Sequence, residues 1–275
     1  MIRMFDITGN QTYLDISMLD EAYMYQYWTD EDCNGGMFQD IRARSYKNAI
    51  SNELYILLAA ALHNRVPGDV EYLAKAETAW EWFRASGMIN SHDLVNDGLA
   101  ESGDGVCFNN KGTTWTYNQG VILGALTGKL RYLSYEMRSP SLSLITKYLI
   151  IMESPELYGA THNASHLATA RNIADAVIAS PELTRDGILT EPCEASDTCN
   201  GDQQSFKGIF ARHLAELSAA LHDDPYRGYL ERNARTALER GGNATGFYDV
   251  GWAGPFRNAT LGTQASAASL FISLV

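Results

Sequence analysis

At 275 residues with 45% hydrophobic side chains, the chain is long enough to bury a large core as one domain, and its composition fits no disordered class. A formal net charge of −12 and a pI near 4.9 exclude an extended nucleic-acid surface, which needs concentrated Lys and Arg. An uncharged polymer is the better expectation, and no stretch is long and apolar enough to span a membrane.

Apolar residues recur at helical spacing through most of the chain and β-branched alternation is nearly absent, which predicts an all-α protein of about nine helices. The start, Met1 to Asp6, has neither a charged segment followed by an apolar one nor a small-residue cleavage site, so it is no signal peptide. Between Ser45 and His63, the residues Leu54, Leu57, Leu58, Ala61 and Leu62 form one apolar stripe. Between Asp69 and Ser86, Tyr72, Ala76, Ala79, Trp80 and Phe83 form another, with Asp69 as N-cap and Gly87 as stop. Val121 to Leu126 is an apolar helix, and Lys129 to Glu153 breaks the pattern around Pro140 with a Ser, Leu and Tyr rich composition. Between Asp202 and His222, Phe206, Phe210, His213, Leu214, Leu217 and Leu221 step by three and four; Asp224-Pro225 then reads as N-cap and first helical residue.

The connections alternate. Asn64 to Gly68 and His222 to Asp224 are short and polar; Asp32 to Arg44, Ile89 to Thr114, Leu183 to Asp202 and Gly241 to Gly262 are long, with glycines, aromatics and acids. Helical hairpins with short turns at one end and decorated loops at the other predict a ring or stack whose loop face carries a site.

Asn-x-Ser/Thr sequons begin at Asn10, Asn163, Asn243 and Asn258, more than chance supplies, and fit passage through a secretory pathway. Cys33, Cys107, Cys193 and Cys199 are even in number, and the last two are close enough to close a small loop, as in an oxidising compartment. Four free buried thiols are the alternative.

Leu94-Val95-Asn96-Asp97-Gly98-Leu99 and Trp115-Thr116-Tyr117-Asn118-Gln119-Gly120 place carboxylate, amides and aromatics ahead of a helix. Sugar recognition needs such groups, since hydroxyls want bidentate partners and pyranose faces want stacking surfaces. Thr116 reads first as an N-cap. Asn48 and Asn52 share one face of a helix start, for ligand contact or loop bracing alike. Glu191, Glu194, Asp202 and Lys207 supply acids and a cation, or simply complement a helix dipole. His162 and His166 have metal-ligand spacing, but no acid completes a set. Asp223-Asp224, the only such dipeptide, precedes Pro225 and reads as capping.

Gly35-Gly36 with Met37-Phe38, Lys47 to Glu53, Val95 to Gly98, Thr116 to Gly120, Leu189 to Glu194, Phe206-Lys207-Gly208 and Trp252 to Pro255 follow one another in the order of glycoside hydrolase family 76. The chain resembles that family, the endo-α-1,6-mannanases and their fungal cell-wall relatives, over nearly its whole length. The resemblance implies an all-α (α/α)6 barrel, a six-hairpin toroid incomplete at its N-terminus, that cleaves α-1,6-linked mannan with retention and without a cofactor or metal. Retention requires two carboxyl groups roughly 5 Å apart. The family carries them as an adjacent aspartate pair at the start of a helix, and Met1 to Gly9 resembles the end of that helix. The pair is therefore expected upstream of Met1, and no catalytic residue carries over. Asn48, Asn52, Asp97, Tyr117, Asn118, Gln119, Asp202, Lys207 and Trp252 are expected to line the glycan groove.

Residues 1–275 are thus expected to form one domain, with 129–153 an atypical insertion of the kind a retained intron leaves, in a monomer outside the cell or in its wall. Three readings compete: a retaining mannan hydrolase or transglycosylase, inactive as this chain; a non-catalytic mannan-binding remnant; and an unrelated helical scaffold.

Overall fold

The computed structural model describes residues 1–102, 105–127, 131–135, 147–151 and 156–275. Ten α-helices stand among them: α1 (Ile2–Thr8), α2 (Gln11–Tyr25), α3 (Ala49–His63), α4 (Glu71–Ala85), α5 (Thr116–Leu126), α6 (Leu157–Thr161), α7 (Ala164–Ala179), α8 (Phe206–Ala220), α9 (Arg227–Thr236) and α10 (Leu261–Ile272). Three antiparallel hairpins are set into the connections: β1 (Leu99–Glu101) with β2 (Cys107–Asn109), β3 (Arg131–Tyr135) with β4 (Lys147–Ile151), and β5 (Thr184–Arg185) with β6 (Ile188–Leu189).

An inner row runs α3, α5, α8, α10, each packed on the next, while α4, α7 and α9 lie behind it. Every residue of α5 from Asn118 to Leu126 is buried, because this helix has neighbours on all sides. Glycines permit the close approach within the row. A Cβ on Gly120 would meet Phe210 Cα at 2.6 Å, and one on Gly208 would meet Ser266 Cα at 2.5 Å.

Local signals explain most boundaries. The Asp69 carboxylate accepts hydrogen bonds from the N–H groups of Glu71, Tyr72 and Leu73 at the start of α4, and Gly87 ends that segment at φ +83°. Two expectations are corrected. The stripe of Leu54, Leu57, Leu58, Ala61 and Leu62 is packed only in part: Ala61 and Leu62 are buried, but Leu54 is 44% exposed, and Tyr55, Ile56 and Ala59, outside the stripe, are fully buried. Leu54, Leu57, Leu58 and Ala61 instead line a cavity of about 670 Å³ toward the C-terminal ends of the inner helices. Asp224-Pro225 does not open α9, which begins at Arg227; Asp224 has φ +44° and accepts a hydrogen bond from the Ser218 hydroxyl. The atypical insertion expected at 129–153 lies outside the described residues, apart from the pairing of β3 with β4.

The loop before α3 is held by a buried cation. Lys47 Nζ donates to the carbonyl oxygens of Thr29 (3.2 Å), Asp32 (2.5 Å) and Gly35 (2.6 Å), and the Trp82 indole N–H donates to Cys33 O at 2.9 Å. The Asn52 amide brackets Met37, accepting from its N–H at 2.8 Å and donating to its carbonyl at 3.1 Å. The Cys33–Cys107 disulfide ties this loop to β2, and Cys193–Cys199 closes the expected small loop.

Chain entropy separates the two bridges, which span 74 and 6 residues. Urea unfolding of the Cys193→Ser/Cys199→Ser variant is expected to show a loss of about 2 kcal/mol, and that of Cys33→Ser/Cys107→Ser a loss of about 4–5 kcal/mol. Non-reducing peptide mapping that finds free thiols would overturn both pairings.

Candidate functional site

The N-terminal ends of α3, α5, α8 and α10 come together, and the long loops satisfy their backbone donors. At α3, Asn48 Oδ1 accepts from the Ser51 N–H at 3.3 Å, and the Ala49 N–H donates to Asp97 O at 2.8 Å. At α5, the Gln119 amide pairs with both backbone groups of Val95, at 2.8 and 2.7 Å, and the Thr116 hydroxyl donates to Glu191. Glu191 and Glu194 form a reciprocal cap on the short 3₁₀ turn Pro192–Ser196. Lys207, in the first turn of α8, meets Glu194 at 2.7 Å and donates to Leu189 O at 3.2 Å. At α10, Thr260 accepts from the Thr263 N–H at 3.2 Å and donates to Gln204 Oε1 at 2.5 Å. Four helix dipoles therefore present their positive ends to one loop face, where negative charge is stabilised.

At the centre of that face the Tyr46 hydroxyl donates to Asp97 Oδ2 at 2.5 Å and accepts from Asn110 Nδ2 at 2.9 Å. Tyr117 is half-buried, its ring 3.9 Å from that of Phe206, and Trp115 meets the same phenylalanine edge-on at 5.9 Å. Burial and then the Asp97 carboxylate push both phenols, Tyr46 and Tyr117, well above the usual tyrosine range. Behind them Glu53 is wholly buried and neither carboxyl oxygen has a protein hydrogen-bond partner. Burial, reinforced by Asp97, raises its pKa well above the carboxylate range. Asn118, equally buried, has neither amide atom partnered. Burial also lifts Glu191, against the pull of Thr116 and Lys207.

Asn48, Asp97, Tyr117 and Asn118 stand at the converging starts of α3 and α5. Asn52 and Gln119 are spent on bracing Met37 and Val95. Trp252, 1% exposed, lies beneath Lys207, whose Nζ is 4.5 Å from its ring centroid; both belong to the supporting floor. Asp202 is exposed, just before the 3₁₀ turn Gln203–Ser205. Sequence reasoning passed over Tyr46, Asn110 and Glu53, although an acid between Asn52 and the apolar run from Leu54 was a signal for Glu53. His162 and His166 part company: the first ends α6 and the second packs against Trp80.

A family model described as glycosyl hydrolase family 76 matches residues 2–129 and 149–275. The mannan endo-1,6-alpha-mannosidase DCW1 of Candida albicans is 28% identical over 204 residues, covering 72% of this chain and 39% of the relative. The Candida glabrata protein of the same name is 30% identical over 201 residues, covering 70% of this chain and 37% of the relative. The chain thus spans less than half the length of these relatives. Among solved structures, the GH76A alpha-1,6-mannanase of Salegentibacter sp. HEL1_6 superposes with a TM-score of 0.80 at 24% identity, covering 99% of this chain and 72% of that one. An inactive variant of that mannanase, two consecutive aspartates changed to asparagine, is in complex with alpha-1,6-mannotriose. These likenesses show the α/α toroid fold.

Because Glu53 is raised in the folded state, its stabilising contribution is complete below its ordinary value of 4.5 and is lost as pH rises through the elevated folded value. Between those values the unfolded chain ionises and the folded one does not. Denaturant titrations are expected to show Glu53→Gln as more stable than the parent at neutral pH, with a flatter pH dependence above 4.5. Equal slopes would show that Glu53 ionises in the fold.

Proposed function

Because the chain belongs to glycosyl hydrolase family 76, we propose that it acts on α-1,6-linked mannan, bound across the face where the starts of α3, α5, α8 and α10 meet. The observation that carries this reading is the half-buried Asp97, bonded to Tyr46, in a cluster with Tyr117 and the partnerless, buried Asn118. Carboxylate and amide suit paired sugar hydroxyls, and the Trp115, Tyr117 and Phe206 rings suit pyranose faces. In this reading Asp97 and Tyr117 touch the glycan, Asn48 and Asn118 complete the contact, and Asp202 stands on the rim. Asn52, Gln119, Lys207 and Trp252 hold the loops in place.

Retaining hydrolysis needs two accessible carboxyl groups about 5 Å apart. Asp97 has Glu53 as its acidic neighbour, and that group is fully buried, with burial raising its pKa well above the carboxylate range. The adjacent pair Asp223-Asp224 serves the turn after α8, Asp224 accepting from Ser218 and Asp223 lying 3.8 Å from Arg171. Neither of these two pairs supplies that arrangement, and the reading is of a mannan-binding face. A cell-wall or extracellular site of action is supported by the two disulfides and by the sequons. Asn10, Asn163 and Asn243 each turn Oδ1 onto a backbone N–H, which leaves Nδ2 available to carry a glycan.

Calorimetry of the purified chain with α-1,6-mannotetraose is expected to show binding that Asp97→Asn and Tyr117→Ala each weaken roughly tenfold, with no reducing ends released from mannan. Failure to bind α-1,6-mannooligosaccharides would overturn the substrate assignment. Turnover abolished by Asp97→Asn would instead make Asp97 a catalytic residue.

A further inference from the structure

Beside the central face lies a second cavity, of about 500 Å³, enclosed by the β5–β6 turn, the end of α9 with the π turn Ala237–Gly241 that follows it, and the loop from Gly251 to Arg257. Four arginines, Arg185, Arg232, Arg240 and Arg257, are among the residues that line it.

The arginines are unequally engaged. Arg257 pairs with Asp249 at 3.0 Å and Asp197 at 2.9 Å. Among the described residues, Arg185, Arg232 and Arg240 form no hydrogen bond or ion pair. Acids are at hand: Asp186 and Glu239 line the same cavity, yet among the described residues no guanidinium pairs with either. The third acid, Glu194, is already taken by Lys207 and by the Glu191 N–H, each at 2.7 Å. The arginines thus stand around the cavity rather than collapsing onto its walls. Arg232 is held there by the turn itself, since a Cβ on Gly187, at φ +77°, would meet Arg232 Nη1 at 2.6 Å.

We propose that this cavity is an anion subsite that takes the phosphate group of a phosphorylated sugar. A tetrahedral dianion offers several oxygens to planar donor forks approaching from different walls, whereas a carboxylate is satisfied by one fork. The volume admits a ligand of monosaccharide phosphate size. Glu194 connects the cavity to Lys207 and the loop face, so a glycan seated there reaches it with a phosphate substituent. That connection rests on the mannan reading above; the anion chemistry does not.

The test titrates mannose 6-phosphate, inorganic phosphate and mannose into the full chain and its Arg232→Gln/Arg240→Gln variant by calorimetry, with melting curves to verify folding. Mannose 6-phosphate is expected to bind the parent, and the double substitution to weaken it by about tenfold or more. Salt should weaken the parent complex, and mannose alone should show no sensitivity to the substitutions. Tighter binding of mannose 6-phosphate than of inorganic phosphate supports a sugar-borne phosphate; equal binding overturns the sugar component and leaves a free-phosphate site. No binding of either phosphate probe, or undiminished binding by the variant, overturns the subsite. If the double variant melts early, Arg185→Gln on the opposite wall gives the same reading. Loss of mannotetraose binding alone, with phosphate binding intact, counts against the mannan reading and not against this one.

Discussion

The first turns of α3, α5, α8 and α10 each carry backbone N–H groups with no partner inside the helix, and the organisation of the loop face follows from satisfying them in one place. Water cannot serve donors beneath packed loops, so the chain supplies acceptors: the Asp97 carbonyl for Ala49, Ser266 Oγ for Gly208 and Thr260 Oγ1 for Thr263. Ser266 lies on α10 itself, and the other two acceptors come from long polar loops. Those loops also contribute side chains to the candidate site, so the capping of the helices and the placement of Asp97 are one structural event.

Buried lysines complete the arrangement by serving the loops' own carbonyl oxygens. Lys47 gathers three from the segment before α3, and Lys207 joins Leu189 to Glu194. Burial and neighbouring Arg44 pull Lys47 down to about 8, although Asp32 and Asp30 hold it up. Truncating it would strand three carbonyls, a cost of about 1–3 kcal/mol for each group left without a partner. By the same measure Glu53 and Asn118 are expensive residents, and the inner row has no packing need for them. Partnerless polar groups in a well-packed fold point to a role in what the loop face binds.

The helical rows and the hairpin rhythm were legible in the sequence because periodicity and capping residues are local signals. Asp69 and Gly87 bound α4 much as their chemistry suggests, even though the helix proper begins at Glu71. The direction of a face was less legible. Leu54, Leu57 and Leu58 have helical spacing, but α3 is apolar nearly all round, so periodicity alone could not distinguish the packed side from the cavity side. Site chemistry was read by residue type, which marked Asn52 and Gln119 as readily as Asp97. Only the fold separates them, since it spends both amides on the backbone of Met37 and Val95. Tyr46 and Asn110 escaped notice because the bond from Tyr46 to Asp97 spans 51 residues of chain and the bond from Asn110 to Tyr46 spans 64.

The polarity of the helices decides which end of the row suits which chemistry. At the C-terminal ends the unpaired groups are carbonyl oxygens, and cations collect there. Arg65 donates to Ala61 O at 2.7 Å in the last turn of α3 and meets Asp6 of α1 at 2.7 Å, while Arg3 reaches Glu216 on α8. At the N-terminal ends the field favours negative charge, and Asp97 sits there with its backbone carbonyl capping α3 and its carboxylate on Tyr46. A glycosidic transition state needs anionic carboxylate close to developing positive charge. Moving the same acid to the far end would place it against helix carbonyls and next to an apolar cavity, where burial would favour its protonated form. Glu156 shows that outcome, since burial raises it to about 8 despite Arg65 beside it at 3.7 Å, whereas Glu216 on the same cavity is held down to about 2, against its burial, by His213 and Arg3. At either end of the row, then, a buried acid keeps its charge only where cations or donors offset its burial, as His213 and Arg3 do for Glu216 and as nothing among the described residues does for Glu53.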